Sequence, residues 1–169
     1  LDQQCREADL EATRSRYAEL GVNADLATFF VDVPARLAAS HLVIARSGAS
    51  TVSELAVAGR PAILIPYPQA MDNHQYHNAT ALEDIGGGWV MSQDGFTPQA
   101  LAARLEAFLG TPDTLTKAAA AARNLGTPDA AEKLAALVTD AIERRAFDRG
   151  ETKRIAHTPT LVVKKEVAA

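Results

Sequence analysis

Cysteine is nearly absent: Cys5 stands alone among 169 residues. One thiol builds neither an internal disulfide framework nor a multi-cysteine zinc site, and it suits a reducing compartment. Long apolar runs are missing as well. The stretch Pro61-Ala62-Ile63-Leu64-Ile65-Pro66 is one of the longest, far short of the roughly 18 to 20 residues of a spanning helix. Any membrane association is therefore expected to be peripheral. Positive charge is not in excess, since 17 Lys and Arg against 21 Asp and Glu leave a net charge of −4. That balance gives no overall footprint for nucleic acid, and none is expected as a partner. What remains, 47% hydrophobic and 22% charged residues, is the ordinary composition of a globular domain.

Periodicity predicts alternating strands and helices. A helix is expected over 7–20, with Leu10, Tyr17 and Leu20 on one face and Gly21 as its stop. Thr28-Phe29-Phe30-Val31 reads as a short strand, Pro34 opens a helical turn over 35–40, and 42–45 reads as a second strand. A helix over 51–58 ends at Gly59. The aliphatic run 62–65, bounded by prolines, suits a strand buried on both faces. A helix over 73–82, a flexible turn at Gly86-Gly87-Gly88 and a strand over 89–91 follow. Thr97-Pro98 and Thr111-Pro112 are helix starts, and Leu101, Leu105, Phe108 and Leu109 are spaced for one buried face. Leu134, Leu137, Val138, Ala141 and Ile142 mark a last amphipathic helix ending near Arg145. Such alternation implies an α/β fold, a Rossmann-like parallel sheet with flanking helices. Residues 1–145 are expected to form the domain, and 146–169 a disordered tail whose basic residues are solvated.

The segment Ala45-Arg46-Ser47-Gly48-Ala49-Ser50-Thr51-Val52-Ser53-Glu54 runs from an apolar strand through small residues into a helix start. The first backbone N–H groups of a helix have no intrahelical partner and carry roughly half a positive charge, so a phosphate or diphosphate is both hydrogen-bonded and attracted there. Small side chains at Ser47, Gly48, Ala49 and Ser50 allow a ligand to approach the backbone. In an open parallel sheet such sites lie outside the carboxyl ends of the strands.

Those residues resemble the R-S-G-A-x-T-V-S-E signature of the MurG-type UDP-N-acetylglucosamine transferases, two-domain glycosyltransferases of the GT-B fold. Pro66-Tyr67-Pro68 and Asp72-Asn73-His74-Gln75-Tyr76-His77-Asn78-Ala79 resemble the family's second sugar-nucleotide segment. Phe29-Phe30-Val31-Asp32 is similar to its F-[IV]-x-D-M segment, with Pro34 where Met is common, and the resemblance covers about residues 2 to 140. It implies the later part of the C-terminal, donor-binding domain. Val31 would meet uracil through its backbone. Ala49, Ser50 and Thr51 would face the diphosphate or sugar, with Val52 and Ser53 in the same binding segment. Glu54 would accept from two ribose hydroxyls; alternatively Thr51-Val52-Ser53-Glu54 is a capping box in which Glu54 serves its own helix end. Gln75 and Asn78, three apart on one helix, would read sugar hydroxyls. Arg46 is open to a phosphate, a neighbouring carboxylate or a structural role, and Asp72 to capping the next helix. His74 stands where many members have glutamine; it and His77 read as polar rim or surface. No Asp or Glu at ligand spacing accompanies these histidines, so no metal is expected, and no cofactor.

The reaction implied is transfer of N-acetylglucosamine from UDP-GlcNAc to a lipid-linked muramoyl-pentapeptide at the cytoplasmic membrane face. Other readings are a different UDP-sugar transferase, with a lipid or natural-product acceptor, or a non-catalytic sugar-nucleotide binding subunit. No catalytic residue is expected in this chain, because the family's general base is proposed to lie in an N-terminal domain. A chain opening on Leu1 is expected to be truncated or processed, and its polar stretch from Asp2 to Glu11 is not expected to be a secretory leader.

Overall fold

Short apolar segments and helix-forming stretches alternate to build β1 (Asp2–Gln4), α1 (Glu7–Glu19), β2 (Asp25–Ala27), α2 (Val33–Ala39), β3 (Val43–Ala45), α3 (Ala49–Ala58), β4 (Ala62–Leu64), α4 (His74–Glu83), β5 (Gly88–Val90), α5 (Pro98–Gly110), α6 (Asp113–Leu125) and α7 (Ala130–Asp148). A 3-10 turn, Met71–Asn73, leads into α4. The computed structural model describes residues 1–111 and 113–148. They fall into two units, Leu1–Pro128 and a second that starts at Asp129 and holds α7.

In the first unit β1 and β2 pair in parallel, with Asp2 opposite Asp25. Strands β3, β4 and β5 form a parallel sheet in that order, with Ile63 opposite both Ile44 and Trp89. Central β4 is Ala-Ile-Leu, all fully buried, and Ile65 beyond it is nearly so. Successive residues of a strand point to opposite faces. Ala62 and Leu64 accordingly pack with Val52 and Leu55 of α3, Ala79 and Leu82 of α4 and Ala122 of α6. Ile63 and Ile65 pack the other way with Phe108 of α5, flanked by Leu101, Leu105 and Trp89. The Trp89 and Phe108 rings lie 4.3 Å apart and tilted by 39°. Helices therefore cover both faces of the sheet, as expected for α/β with a parallel core.

Two glycines are required by this packing. Gly59 closes α3 in the left-handed region at φ +62°, where Arg123 Nη2 also donates to the Ala58 carbonyl at 3.3 Å. Gly88 lets β5 approach β4: a Cβ there would sit 2.7 Å from the Ala62 carbonyl oxygen.

Several expectations are corrected. The strand expected over 28–31 is a loop, and the ladder residues are Asp25–Ala27, paired with a β1 that periodicity missed. Three residues are too few for an alternation to register. The triple glycine is not a flexible turn throughout, since only Gly86 has positive φ and Gly88 opens β5. Leu109 is 80% exposed; at 100° per residue it falls about 80° from Leu101 around the helix, off the stripe of Leu101, Leu105 and Phe108. Leu20 is also exposed, because it is the C-cap of α1 and no longer on its half-buried face. Thr97 does cap α5, its Oγ1 accepting from the Ala100 N–H at 3.1 Å. Helix α7 runs to Asp148, beyond the expected end near Arg145. The remaining tail, 149–169, lies outside the described residues.

Leu64→Ala should cost about 2–5 kcal/mol of stability, because the fully buried site cannot collapse around the void. Leu109→Ala on exposed α5 surface should stay within about 0.5 kcal/mol. Denaturant titration of the two variants checks both, and equal effects would contradict the two-sided core.

Candidate functional site

Strand β3 ends at Ala45 and α3 starts at Ala49, so Arg46, Ser47 and Gly48 make the whole turn. Gly48 is the N-cap and no side chain caps the helix. The Val52 N–H bonds the Gly48 carbonyl at 3.0 Å, whereas among the described hydrogen bonds the N–H groups of Ala49, Ser50 and Thr51 have no acceptor. These three residues present an open, partly positive helix end at the carboxyl edge of the sheet. Ser50, Ser53 and Glu54 share an exposed face at helical spacing, while Val52 turns into the core and holds α3 in place. The capping-box alternative is overturned. Small Gly48 and Ala49 let the helix begin earlier, so Thr51 is its third residue and Glu54 lies a turn beyond any N-terminal N–H.

Ser47 is the fully buried polar residue that fixes this turn. Its Oγ donates to the Gln75 carbonyl at 2.7 Å, and its own carbonyl accepts from Asn78 Nδ2 at 3.0 Å. The two bonds join the β3–α3 turn to α4. Gln75 Oε1 accepts the Tyr67 N–H at 3.0 Å, tying α4 to the segment after β4 and leaving the Gln75 amide NH2 with no described partner. The two side chains go to different partners: Gln75 to the Tyr67 N–H after β4, Asn78 to the backbone of the β3–α3 turn, where it uses an amide donor. His74 is exposed, and its Nδ1 donates to the Met71 carbonyl at 2.7 Å. Asp72 does not cap α4: Asn73 is the N-cap without a side-chain bond, and both residues sit at φ near +50°, a region that Asp and Asn tolerate better than most.

Among the described residues Arg46 pairs with no carboxylate. Its guanidinium donates to the carbonyls of Ile65 and Pro66, each at 3.2 Å, and to Gln93 Oε1 at 2.8 Å. It thus ties together the chain leaving β3, β4 and β5, and its charge adds to the positive character of that edge.

Val31 lies in the loop between β2 and α2 and is 89% exposed, outside any ladder. Beside it, Arg36 meets three carboxylates: Asp25 at 2.7 Å, Asp32 at 2.8 Å and Asp2 at 3.1 Å. Its guanidinium also stacks 3.8 Å above the Phe30 ring. The hydrogen bond to Asp32, then that to Asp25, raises the Arg36 pKa further, and the Arg36 bond holds the Asp32 carboxyl below the usual carboxylate range. Arg36 and Gln93 were not legible as site residues, and Tyr67 was legible only as part of the second segment, not as the partner of Gln75. Asp32 and Arg36 at i,i+4 were a visible pairing signal, but Asp2 and Asp25 reach Arg36 only through the fold. Among the described residues no group of three His, Cys, Asp or Glu is placed to hold a metal ion.

A helix end open at the carboxyl edge of a parallel sheet places the first unit in the class of Rossmann-like α/β domains, which bind ligands at that edge. The model of the glycosyltransferase family 28 C-terminal domain matches residues 1–134, and the chain belongs to that family. It is 58% identical over 142 residues to a protein of Paramagnetospirillum magneticum named UDP-N-acetylglucosamine--N-acetylmuramyl-(pentapeptide) pyrophosphoryl-undecaprenol N-acetylglucosamine transferase, covering 84% of this chain and 38% of the relative. A protein of the same name from Rhodospirillum rubrum is 54% identical over 145 residues, covering 86% and 38%. The crystal structure of Acinetobacter baumannii MurG superposes with a TM-score of 0.74 at 33% identity, over 82% of this chain and 42% of that one. The chain thus spans about two fifths of the length of the relatives it matches.

Because the folded pKa of Asp32 lies below its unfolded value of about 3.9, the Asp32–Arg36 pair stabilises the fold above that pH and is lost as pH falls through the folded pKa. NMR titration of the Asp32 carboxyl should give a midpoint below about 3.9 that returns toward it in Arg36→Gln. An unchanged midpoint in the variant would show that the pair does not persist in solution.

Proposed function

We propose that this chain is the donor-binding part of an inverting hexosyltransferase that moves N-acetylglucosamine from UDP-GlcNAc to a lipid-linked muramoyl-pentapeptide in peptidoglycan synthesis, as a peripheral protein at the cytoplasmic membrane face. The observation that carries this reading is the uncapped N-terminus of α3, locked by buried Ser47 to the helix that bears Gln75. Similarity to transferases of that name over most of the chain supports the identity of donor and acceptor.

In this reading the N–H groups of Ala49, Ser50 and Thr51 receive the diphosphate, with the Ser50 and Ser53 hydroxyls at its margin. Glu54, exposed on the same face, accepts from the paired ribose hydroxyls. The unpartnered amide NH2 of Gln75 reads a sugar hydroxyl. Val52 and Asn78 serve the site by holding the α3 end in place. Val31 offers its backbone to uracil. As the acceptor C4 hydroxyl attacks the anomeric carbon, the bond to the diphosphate breaks and negative charge grows on departing UDP. Fixed N–H dipoles at the helix end stabilise that charge without reorganising. The proton of the attacking hydroxyl goes to a base outside this chain.

Calorimetric titration tests the reading. UDP-GlcNAc should bind, Glu54→Gln should weaken it about tenfold, and Gln75→Ala should erase its advantage over UDP-galactose. Equal binding of the two sugars by the unaltered chain would sink the donor assignment. The isolated 169 residues should show no turnover of lipid acceptor, and detectable turnover would place the base within them.

A further inference from the structure

We infer that Arg36 is a positioning residue for nucleobase recognition: its guanidinium grips Phe30 and Asp32, the two neighbours of Val31, and ties them to Asp2 and Asp25 at the starts of β1 and β2. The inference rests on the donor-binding reading above and adds to it what makes the β2–α2 loop a fixed surface.

Residues 28–32 join β2 to α2 without joining a ladder. The Thr28 carbonyl accepts from Gln4 Nε2 at 2.9 Å, which holds the start of the loop. Everything described beyond that point depends on Arg36 or on the helix it belongs to. The Asp32 carboxylate, at the N-cap of α2, caps no N–H and accepts Arg36 Nε instead, while its carbonyl receives the N–H groups of Ala35 and Arg36 at 3.0 and 3.1 Å. The Phe30 ring lies with its centroid 3.8 Å from Arg36 Cζ and is half-buried, whereas Phe29 and Val31 on either side are 71% and 89% exposed. The loop is thus pinned at alternate residues, and among the described residues the Val31 backbone between the pins has no hydrogen-bond partner.

Only arginine performs this with one side chain. Its planar fork of donors serves three carboxylates while its face stacks on an aromatic ring; lysine is a point charge without that face. A base-reading loop of five residues would otherwise have to lose its conformational freedom on binding, at a cost to affinity. The α3 end, which would receive the diphosphate, takes its geometry from Ser47 and not from Arg36. Base recognition and diphosphate recognition therefore separate experimentally.

The full chain and Arg36→Gln are titrated calorimetrically with UDP, UMP and ADP. Arg36→Gln should weaken UDP about tenfold and bring the UDP-to-ADP preference toward one, while the UDP-to-UMP ratio stays unchanged. Arg36→Lys should fall between the two. Without ligand, amide hydrogen exchange over 29–32 should quicken in Arg36→Gln while β3, β4 and β5 keep their protection. Should that variant fail to fold, Asp25→Asn removes one tie and leaves the Asp32 bond, and should lower the UDP-to-ADP preference in the same direction. Uniform weakening of all three nucleotides, or an unchanged base preference in a folded variant, would overturn the inference while leaving the donor site intact. Failure of the unaltered chain to bind UDP would overturn the donor reading and this inference with it.

Discussion

Burial of β4 on both faces is the constraint on which the first unit depends. A strand enclosed by helices on either side has no water for its N–H and C=O groups, so parallel neighbours must take them, and β3 and β5 do so in register. Its side chains then divide by parity, Ala62 and Leu64 toward α3, α4 and α6, Ile63 and Ile65 toward α5. Once the three strands are aligned, their carboxyl ends share one edge. Arg46, the Ile65 and Pro66 carbonyls and Gln93 meet there because three chains leave the sheet together.

That edge keeps its helix terminus open by engaging nearby polar side chains elsewhere. Arg46 is held by carbonyls, Ser47 by Gln75 and Asn78, and Gln75 by Tyr67, so none folds back onto the Ala49, Ser50 and Thr51 amides. A backbone anion site made this way has no charge of its own to desolvate, and its donors are fixed by the helix itself. The β2–α2 loop reaches a fixed shape by the opposite means. No core residue holds it; one arginine at the centre of three carboxylates does, on a half-exposed surface.

Much of the α/β order was legible because its signals are local. Proline-bounded aliphatic residues at 62–65 announced a strand buried on both faces, Thr97-Pro98 a capped helix and Gly59 a helix end. The loop of small residues before α3 was legible as an anion site for the same reason, since uncapped N–H groups follow from a helix start alone. Illegible parts were those where local pattern conflicts with distant packing. Thr28-Phe29-Phe30-Val31 has strand composition, yet Phe30 is claimed by Arg36 and the ladder ends at Ala27.

The sequence by itself determined the order of elements from β3 onward, the central strand and the helix end that opens toward a ligand, because propensity, capping and side-chain alternation act over a few residues. Only the tertiary structure decided that Ser47 is a buried lock to α4, that Asn78 holds backbone and that Glu54 points outward instead of capping. It alone assembled Asp2, Asp25 and Asp32 around Arg36. These contacts join residues up to 34 positions apart, and such pairings exist only after the chain has closed on its core.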